Sequence, residues 1–85
     1  MIEQSELDWI VQKAGELLAD KVNDAPLTDR DIEMAFEIFA EPRLKRLFGE
    51  HADEKERKRA VDYIMAELRR YMQRLNSERW SKASE

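Results

Sequence analysis

The clearest indication of the architecture of this 85-residue chain lies in residues 53–76, which read DEKERKRAVDYIMAELRRYMQRLN. Apolar residues recur there at steps of three and four, the spacing that places side chains on one face of an α-helix. The apolar stripe consists of Val61, Ile64, Leu68, Tyr71 and Leu75, with Met65 and Met72 beside it. Asp53 can cap the helix start, because its short side chain can accept hydrogen bonds from the first free N–H groups. The stretch therefore predicts a long amphipathic helix.

The same spacing predicts a first helix over residues 5–23, with Ser5 as its N-cap. Its apolar face consists of Leu7, Ile10, Val11, Ala14, Leu17, Leu18 and Val22. Pro26 follows shortly after the last of these residues. Because proline lacks a backbone N–H and disfavours helix in the residue before it, the first helix is expected to end before Pro26.

A second helix is predicted to begin after Thr28, because Thr28 and Asp31 resemble a capping box with Asp in place of the usual Glu. Its apolar residues cover about half of the helix circumference. They are Ile32, Met34, Ala35, Phe36, Ile38 and Phe39. The dipeptide Glu41-Pro42 is predicted to end this helix, since proline cannot donate the next backbone hydrogen bond.

A short turn or helix is predicted over residues 43–48, with Leu44, Leu47 and Phe48 as apolar anchors. Gly49 is expected to act as its C-cap, because glycine tolerates the left-handed backbone conformation that often ends a helix.

These segments predict an all-α fold, a small up-down helical bundle of three main helices plus one short helix. The predicted domain covers residues 1–77, and residues 78–85 form a polar C-terminal tail. A chain of this length buries only about 60–65% of the surface that its unfolded form exposes. The monomer would be marginally stable, and dimerisation could complete the bundle.

The composition excludes several classes of protein. Hydrophobic residues make up 42% of the chain and there is no cysteine, which argues against a disordered segment, a disulfide scaffold and a thiolate site. No apolar run approaches the ~20 residues of a membrane span. The first residues lack the basic and apolar regions of a secretory signal. We therefore expect a cytoplasmic protein without a membrane association.

No motif for catalysis or for cofactor binding is apparent. His51 is the only histidine, and although Glu50, Asp53 and Glu54 lie near it, we interpret it as a loop histidine rather than a metal ligand. Gly15 and Gly49 are the only glycines and are isolated, so a phosphate-binding loop is not expected. The sequence predicts no enzyme activity, no cofactor and no metal site.

The net charge of −4 conceals an asymmetry. Residues 1–42 contain three basic and 11 acidic residues, whereas residues 43–85 contain 12 basic and eight acidic residues. The two halves thus carry charges of −8 and +4, and they could face each other within the fold or across a homodimer. Alternatively, the basic half could face a polyanion. We favour the first interpretation, because most charged runs are solvated or paired within the protein.

Trp9 is the first candidate for partner binding. On a helical wheel it lies roughly opposite Leu7 and Leu18, outside the apolar stripe. Tryptophan is enriched at interface hot spots, which makes an exposed one a candidate anchor. The alternative is that Trp9 covers the end of the bundle or packs beneath Ile2.

The outer face of the last helix is the second candidate. Arg59, Tyr63, Arg70 and Arg74 fall within about 60° of one another on the wheel. They could clamp phosphates, stack on a nucleic-acid base, or bind an acidic peptide, including the acidic second helix of another copy. The alternative is an ordinary solvated face whose charges pair within the helix.

A helix-turn-helix is a further possibility, in which Gly49 forms the turn and the basic start of the last helix enters the major groove. Its basic residues are Lys55, Arg57, Lys58 and Arg59. Glu54 and Glu56 in the same stretch, and the negative net charge, argue against it.

We therefore predict a non-catalytic protein-interaction or regulatory module. The expected partner is another protein, a second copy of the chain, or the larger assembly of which the chain is a small subunit. The alternative function is nucleic-acid binding through the basic last helix.

Overall fold

The computed structural model describes residues 2–51 and 53–80, without the side chain of His51, and these residues contain helices and no β-strand. The main helices are α1 (Gln4–Lys21), α2 (Asp29–Ala35), α3 (Glu41–Phe48) and α4 (Glu54–Trp80). A π-helical turn, Phe36–Ala40, joins α2 to α3, and a 3₁₀ turn, Gly49–His51, follows α3. The all-α prediction is confirmed.

The predicted starts of α2 and α4 are held by the expected side chains. The prediction that Ser5 caps the first helix is wrong, because α1 begins at Gln4 and the residue at its N-cap is Glu3. The Asp53 carboxylate accepts a hydrogen bond from the backbone N–H of Lys55 at 3.0 Å. Before α2, the Asp31 carboxylate accepts a hydrogen bond from the backbone N–H of Thr28 at 2.8 Å. Gly49 has a φ of 66° at the C-cap of α3, a conformation that a side chain with a Cβ would disfavour.

The prediction that Glu41-Pro42 ends the second helix is wrong. The N–H of Glu41 bonds to the carbonyl of Phe36, five residues back, so the chain stays helical through a wider π turn. Proline removes one backbone donor and its ring crowds the carbonyl four residues earlier, and a π turn is one way to accommodate this disruption. Pro42 then lies in the first turn of α3, where a missing N–H is tolerated. Residues 29–48 therefore form one interrupted helix, which we call the rod.

Helices α1 and α4 run in the same direction. The Tyr63 hydroxyl donates a hydrogen bond to Asp8 at 2.8 Å. Near the other end, the indole N–H of Trp80 donates to the carbonyl of Val22 at 2.7 Å. Because the early residues of α1 meet the early residues of α4, and the late ones meet the late ones, the two helices lie parallel.

The rod packs on these two helices and runs antiparallel to them. Its last part reaches the start of α1, where the Arg43 guanidinium lies 3.1 Å from the Glu6 carboxylate. Its first part reaches the end of α1, where Asp31 lies 4.0 Å from Lys21. Helix α1, the rod and α4 together enclose one core.

The core is apolar. Twelve hydrophobic residues are buried and no polar or charged residue is buried among those described. They are Ile10, Ala14, Leu18, Val22, Leu27, Ile32, Ala35, Ala40, Leu44, Ala60, Ile64 and Leu68. Four of the twelve are alanines and eight are larger aliphatic residues, against which further hydrophobic residues pack while remaining partly exposed. Among the described residues, no helix combines the length and apolar character that a membrane span needs.

Two apolar residues assigned to the buried side of the rod are exposed. Ile38 is 52% exposed and Leu47 is 38% exposed. A π turn holds more residues per turn than an α-helix, which shifts the later residues around the rod axis. The expectation that both side chains anchor the core is therefore wrong.

The last helix extends beyond the predicted domain boundary. It continues to Trp80, so residues 78–80 of the predicted tail are helical, and residues 81–85 lie outside the described part. The Asn76 side chain accepts the N–H of Leu27 at 2.7 Å and donates to the Leu27 carbonyl at 2.9 Å. Together with Trp80, it ties the end of α4 to the loop after α1.

Candidate functional site

An open groove of about 610 Å³ runs between α1 and α4. We call it the α1–α4 groove, because only those two helices line it. Its more buried lining residues are mostly small or apolar: Val11, Gly15, Ala19 and Tyr71. Its polar or charged lining residues are Gln12, Glu16, Glu67, Arg70 and Arg74, of which Glu67 is half-buried and the others are exposed. The groove thus has an apolar floor and a charged rim.

The floor depends on a close approach between Gly15 and Tyr71. A Cβ built on Gly15 would lie 2.9 Å from the Cε2 atom of the Tyr71 ring, closer than ordinary van der Waals contact. Glycine in a helix interior costs about 1 kcal/mol relative to alanine. The contact between the Tyr71 ring and the backbone of α1 compensates for this cost.

The rim carries charges of both signs, and their present interactions are weak. Arg70 lies 3.6 Å from Glu67 in the same helix, with 76% of its side chain exposed. Glu16 lies 3.5 Å from Lys13, and both side chains are exposed. The guanidinium of Arg74 stacks over the Tyr71 ring, 5.0 Å from its centroid. Exposed pairs of this kind contribute about 0–1 kcal/mol each.

The structure places the predicted partner-binding residues on two different sides of the bundle. Arg70 and Arg74 line the α1–α4 groove, and Tyr63 precedes it on α4, bonded to Asp8 of α1. Arg59 is exposed and has no ion-pair partner among the residues described. Trp9 is not part of this surface.

Trp9 is 41% exposed, as the helical wheel indicated, but it lies at the edge between α1 and the rod. The Arg43 guanidinium stacks over its ring at 4.7 Å from the centroid, and Lys13 lies 5.9 Å away. The Nε atom of Arg43 is buried without a hydrogen-bond partner. One face of Trp9 is therefore already covered by the protein's own cation, a contact that the sequence did not indicate.

The acidic residues of the rod border a smaller groove of about 320 Å³ beside α4. Phe36, Leu44, Val61 and Met65 form its apolar part, and Glu33, Glu37, Glu41 and Arg57 its charged part. Arg57 is one of the basic residues on which the helix-turn-helix prediction rests. Carboxylates beside it would repel a phosphate backbone, although nucleic-acid binding by this helix stays a prediction.

Internal pairing accounts for part of the charge asymmetry. Arg43 meets Glu6 at 3.1 Å, and Arg69 lies 3.8 Å from Asp29, so each of these pairs joins the two halves of the chain. Among the described residues, Glu33 and Glu37 have no ion-pair partner. No group of three or more potential metal ligands occurs in the described ranges, and the side chain of His51 lies outside them.

The hydrogen bond between Tyr63 and Asp8 changes the acidity of the phenol. Donation to the carboxylate raises the pKa of Tyr63 above its ordinary value, and burial and the negative charge of Asp8 add to the rise. A raised pKa in the folded state means that the stabilisation is complete below about pH 10 and is lost as the pH rises through the folded-state pKa.

We therefore expect Tyr63→Phe to lose less stability than the unmodified chain when the pH is raised from neutral to about pH 11. Urea unfolding followed by circular dichroism at both pH values measures this difference. Asp8→Asn serves as the companion variant, because it removes the charge that raises the pKa and should let the phenol ionise at lower pH. Identical alkaline losses in the unmodified chain and Tyr63→Phe would contradict the assignment.

Comparison with known protein families, curated proteins and solved structures found no match to this chain. Its function is therefore inferred from the grooves, their charges and the packing around them.

Proposed function

We propose that this chain is a non-catalytic protein-interaction module of the cytoplasm that binds its partner through the α1–α4 groove. The observation that carries the proposal is the groove itself, about 610 Å³ with Val11, Ala19 and Tyr71 on its floor. Apolar surface with a charged rim is the arrangement found where proteins associate. The partner is a second copy or a protein of a larger assembly.

The small size of the chain supports this proposal. A domain of 85 residues buries a smaller share of its surface than a larger domain does, and covering the apolar floor of the groove would add hydrophobic stabilisation. The surface charges disfavour the alternative of nucleic-acid binding, because Glu16 and Glu67 lie in the same groove as Arg70 and Arg74. A phosphate backbone is best neutralised by lysines and arginines without carboxylates among them.

Site-specific photocrosslinking in the native cell tests the proposal. The chain offers a matched pair of exposed glutamines, because Gln12 lines the groove and Gln73 lies on α4 outside it. A photoreactive amino acid at position 12 is expected to give a defined protein adduct on irradiation, and the same residue at position 73 is not. The adducts are separated by electrophoresis and identified by mass spectrometry.

Equal adducts from both positions would show that the groove has no special role. An adduct at position 12 that nuclease treatment removes would favour the nucleic-acid function instead. A gel-retardation assay at low salt, where phosphate contacts are strongest, provides an independent check of that second outcome.

A further inference from the structure

We infer that the occupant of the α1–α4 groove is a second copy of this chain, packed groove against groove about a two-fold axis. In this pairing Arg70 and Arg74 of each copy face the groove carboxylates of the other copy. The inference rests on the proposed function and names its partner.

Charge complementarity is the first reason. The rim contains two carboxylates, Glu16 and Glu67, and two guanidinium groups, Arg70 and Arg74, so its formal charge is zero. A two-fold interface places the same patch on both sides and therefore must be complementary to itself. A patch with equal numbers of both signs meets this requirement, whereas an acidic peptide or a polyanion would leave the two carboxylates opposed by like charges.

The second reason is that the rim charges are free to change partners. The Glu67–Arg70 contact spans 3.6 Å between side chains that are 32% and 76% exposed. The Lys13–Glu16 contact spans 3.5 Å with 41% and 60% exposure. Breaking such solvated pairs costs little, and re-forming them across an interface that excludes water gives stronger interactions.

The third reason is the size of the surface. A standard interface buries about 800 Å² on each partner, which is about one eighth of the 6181 Å² accessible surface of this chain. Helix α4 has 27 residues and is thus about 40 Å long, of which the groove-lining residues 67–74 take about 12 Å. An interface of standard size would therefore extend along α1 and α4 beyond the groove. The small residue Ala19 lets a second helix approach the groove closely, whereas the space beside Gly15 is filled by the Tyr71 ring.

Charge reversal and mixing test the inference in the purified full-length chain. One double variant is Arg70→Glu with Arg74→Glu, and its counterpart is Glu16→Arg with Glu67→Arg. Sedimentation equilibrium should show the unmodified chain as a dimer and each double variant alone with a dissociation constant raised at least about 100-fold. An equimolar mixture of the two double variants should recover a heterodimer, because each reversed patch then faces its complement.

The matched control is Arg46→Glu with Lys55→Glu. It makes the same change in net charge as Arg70→Glu with Arg74→Glu, but at exposed positions outside the groove. It should dimerise like the unmodified chain. Circular dichroism checks that each variant is helical. Because Glu67 is partly buried, Glu16→Arg alone provides a second counterpart whose mutated side chain is solvent-exposed.

Two results would overturn the inference: an unmodified chain that stays monomeric up to millimolar concentration, or a mixture of variants that does not associate. A monomeric chain whose position 12 crosslinks to a different protein in the cell would refute the second copy and leave the protein-interaction function in place. A monomeric chain without any adduct at position 12 would refute both the pairing with a second copy and the protein-interaction function.

Discussion

Leu68→Ala is expected to lower the free energy of unfolding by about 3 kcal/mol. Leu68 is fully buried in α4 and belongs to a core of twelve residues that includes four alanines. The substitution removes apolar contacts and leaves a cavity, and small neighbours cannot move in far enough to fill it. A domain of this size has a total stability of about 5 kcal/mol or slightly more, so a large part of it would be lost.

Urea unfolding followed by circular dichroism measures this loss, with the protein concentration held constant because association also adds stability. Leu47→Ala is the matched control, since Leu47 is 38% exposed and its truncation should cost less than about 1 kcal/mol. Equal losses for the two leucines would contradict the position of Leu68 at the centre of the core.

Trp80→Ala is expected to cost about 2 kcal/mol. The indole N–H of Trp80 donates to the Val22 carbonyl at 2.7 Å, and the ring packs against the core while remaining partly exposed. The substitution removes both the hydrogen bond and the apolar contact. The attachment of the end of α4 to the loop after α1 would then depend on the two Asn76–Leu27 hydrogen bonds.

Trp80→Phe separates the two contributions, because phenylalanine keeps an aromatic ring and lacks the N–H. It should retain about half of the stability that Trp80→Ala loses. Thermal and urea unfolding of both variants provide the measurement, and amide hydrogen exchange of the last turns of α4 reports the local effect. A Trp80→Ala variant as stable as the unmodified chain would refute a structural role for this contact.

The helices themselves were predictable from local patterns. Apolar spacing located α1 and α4 to within a few residues, and the caps at Asp53, Asp31 and Gly49 followed from the chemistry of helix ends. Such signals lie within a few residues of one another in sequence. They therefore do not depend on contacts with distant parts of the chain.

The contacts between distant residues were not predictable in this way. Trp80 follows a polar stretch and meets a carbonyl 58 residues earlier, so no local pattern distinguishes it from a frayed end. The π turn was missed because a proline after a helical stretch ordinarily ends the helix. Neither feature leaves a periodic trace in the sequence.

Only the α4 side of the candidate site was predictable from the sequence. A helical wheel grouped Arg70 and Arg74 on one face of α4, and the structure shows both at the groove. The wheel says nothing about how a neighbouring helix is rotated, so it could not bring Gln12 and Glu16 to the opposite rim. For the same reason it showed that Trp9 lies outside the apolar stripe of α1 but not that Arg43 of the rod covers its ring.

The π turn gives the rod a tolerance for a change in chain length. Its Glu41-to-Phe36 hydrogen bond spans one residue more than an α-helical bond, so the turn accommodates one extra residue while α3 keeps its orientation. Deleting a single residue between Phe36 and Ala40 would leave the bonding register of an ordinary α-helix. Arg43 would then still face Glu6 and Trp9. The rod can thus lose one amino acid at this point while the surface formed by Arg43 and Trp9 is preserved.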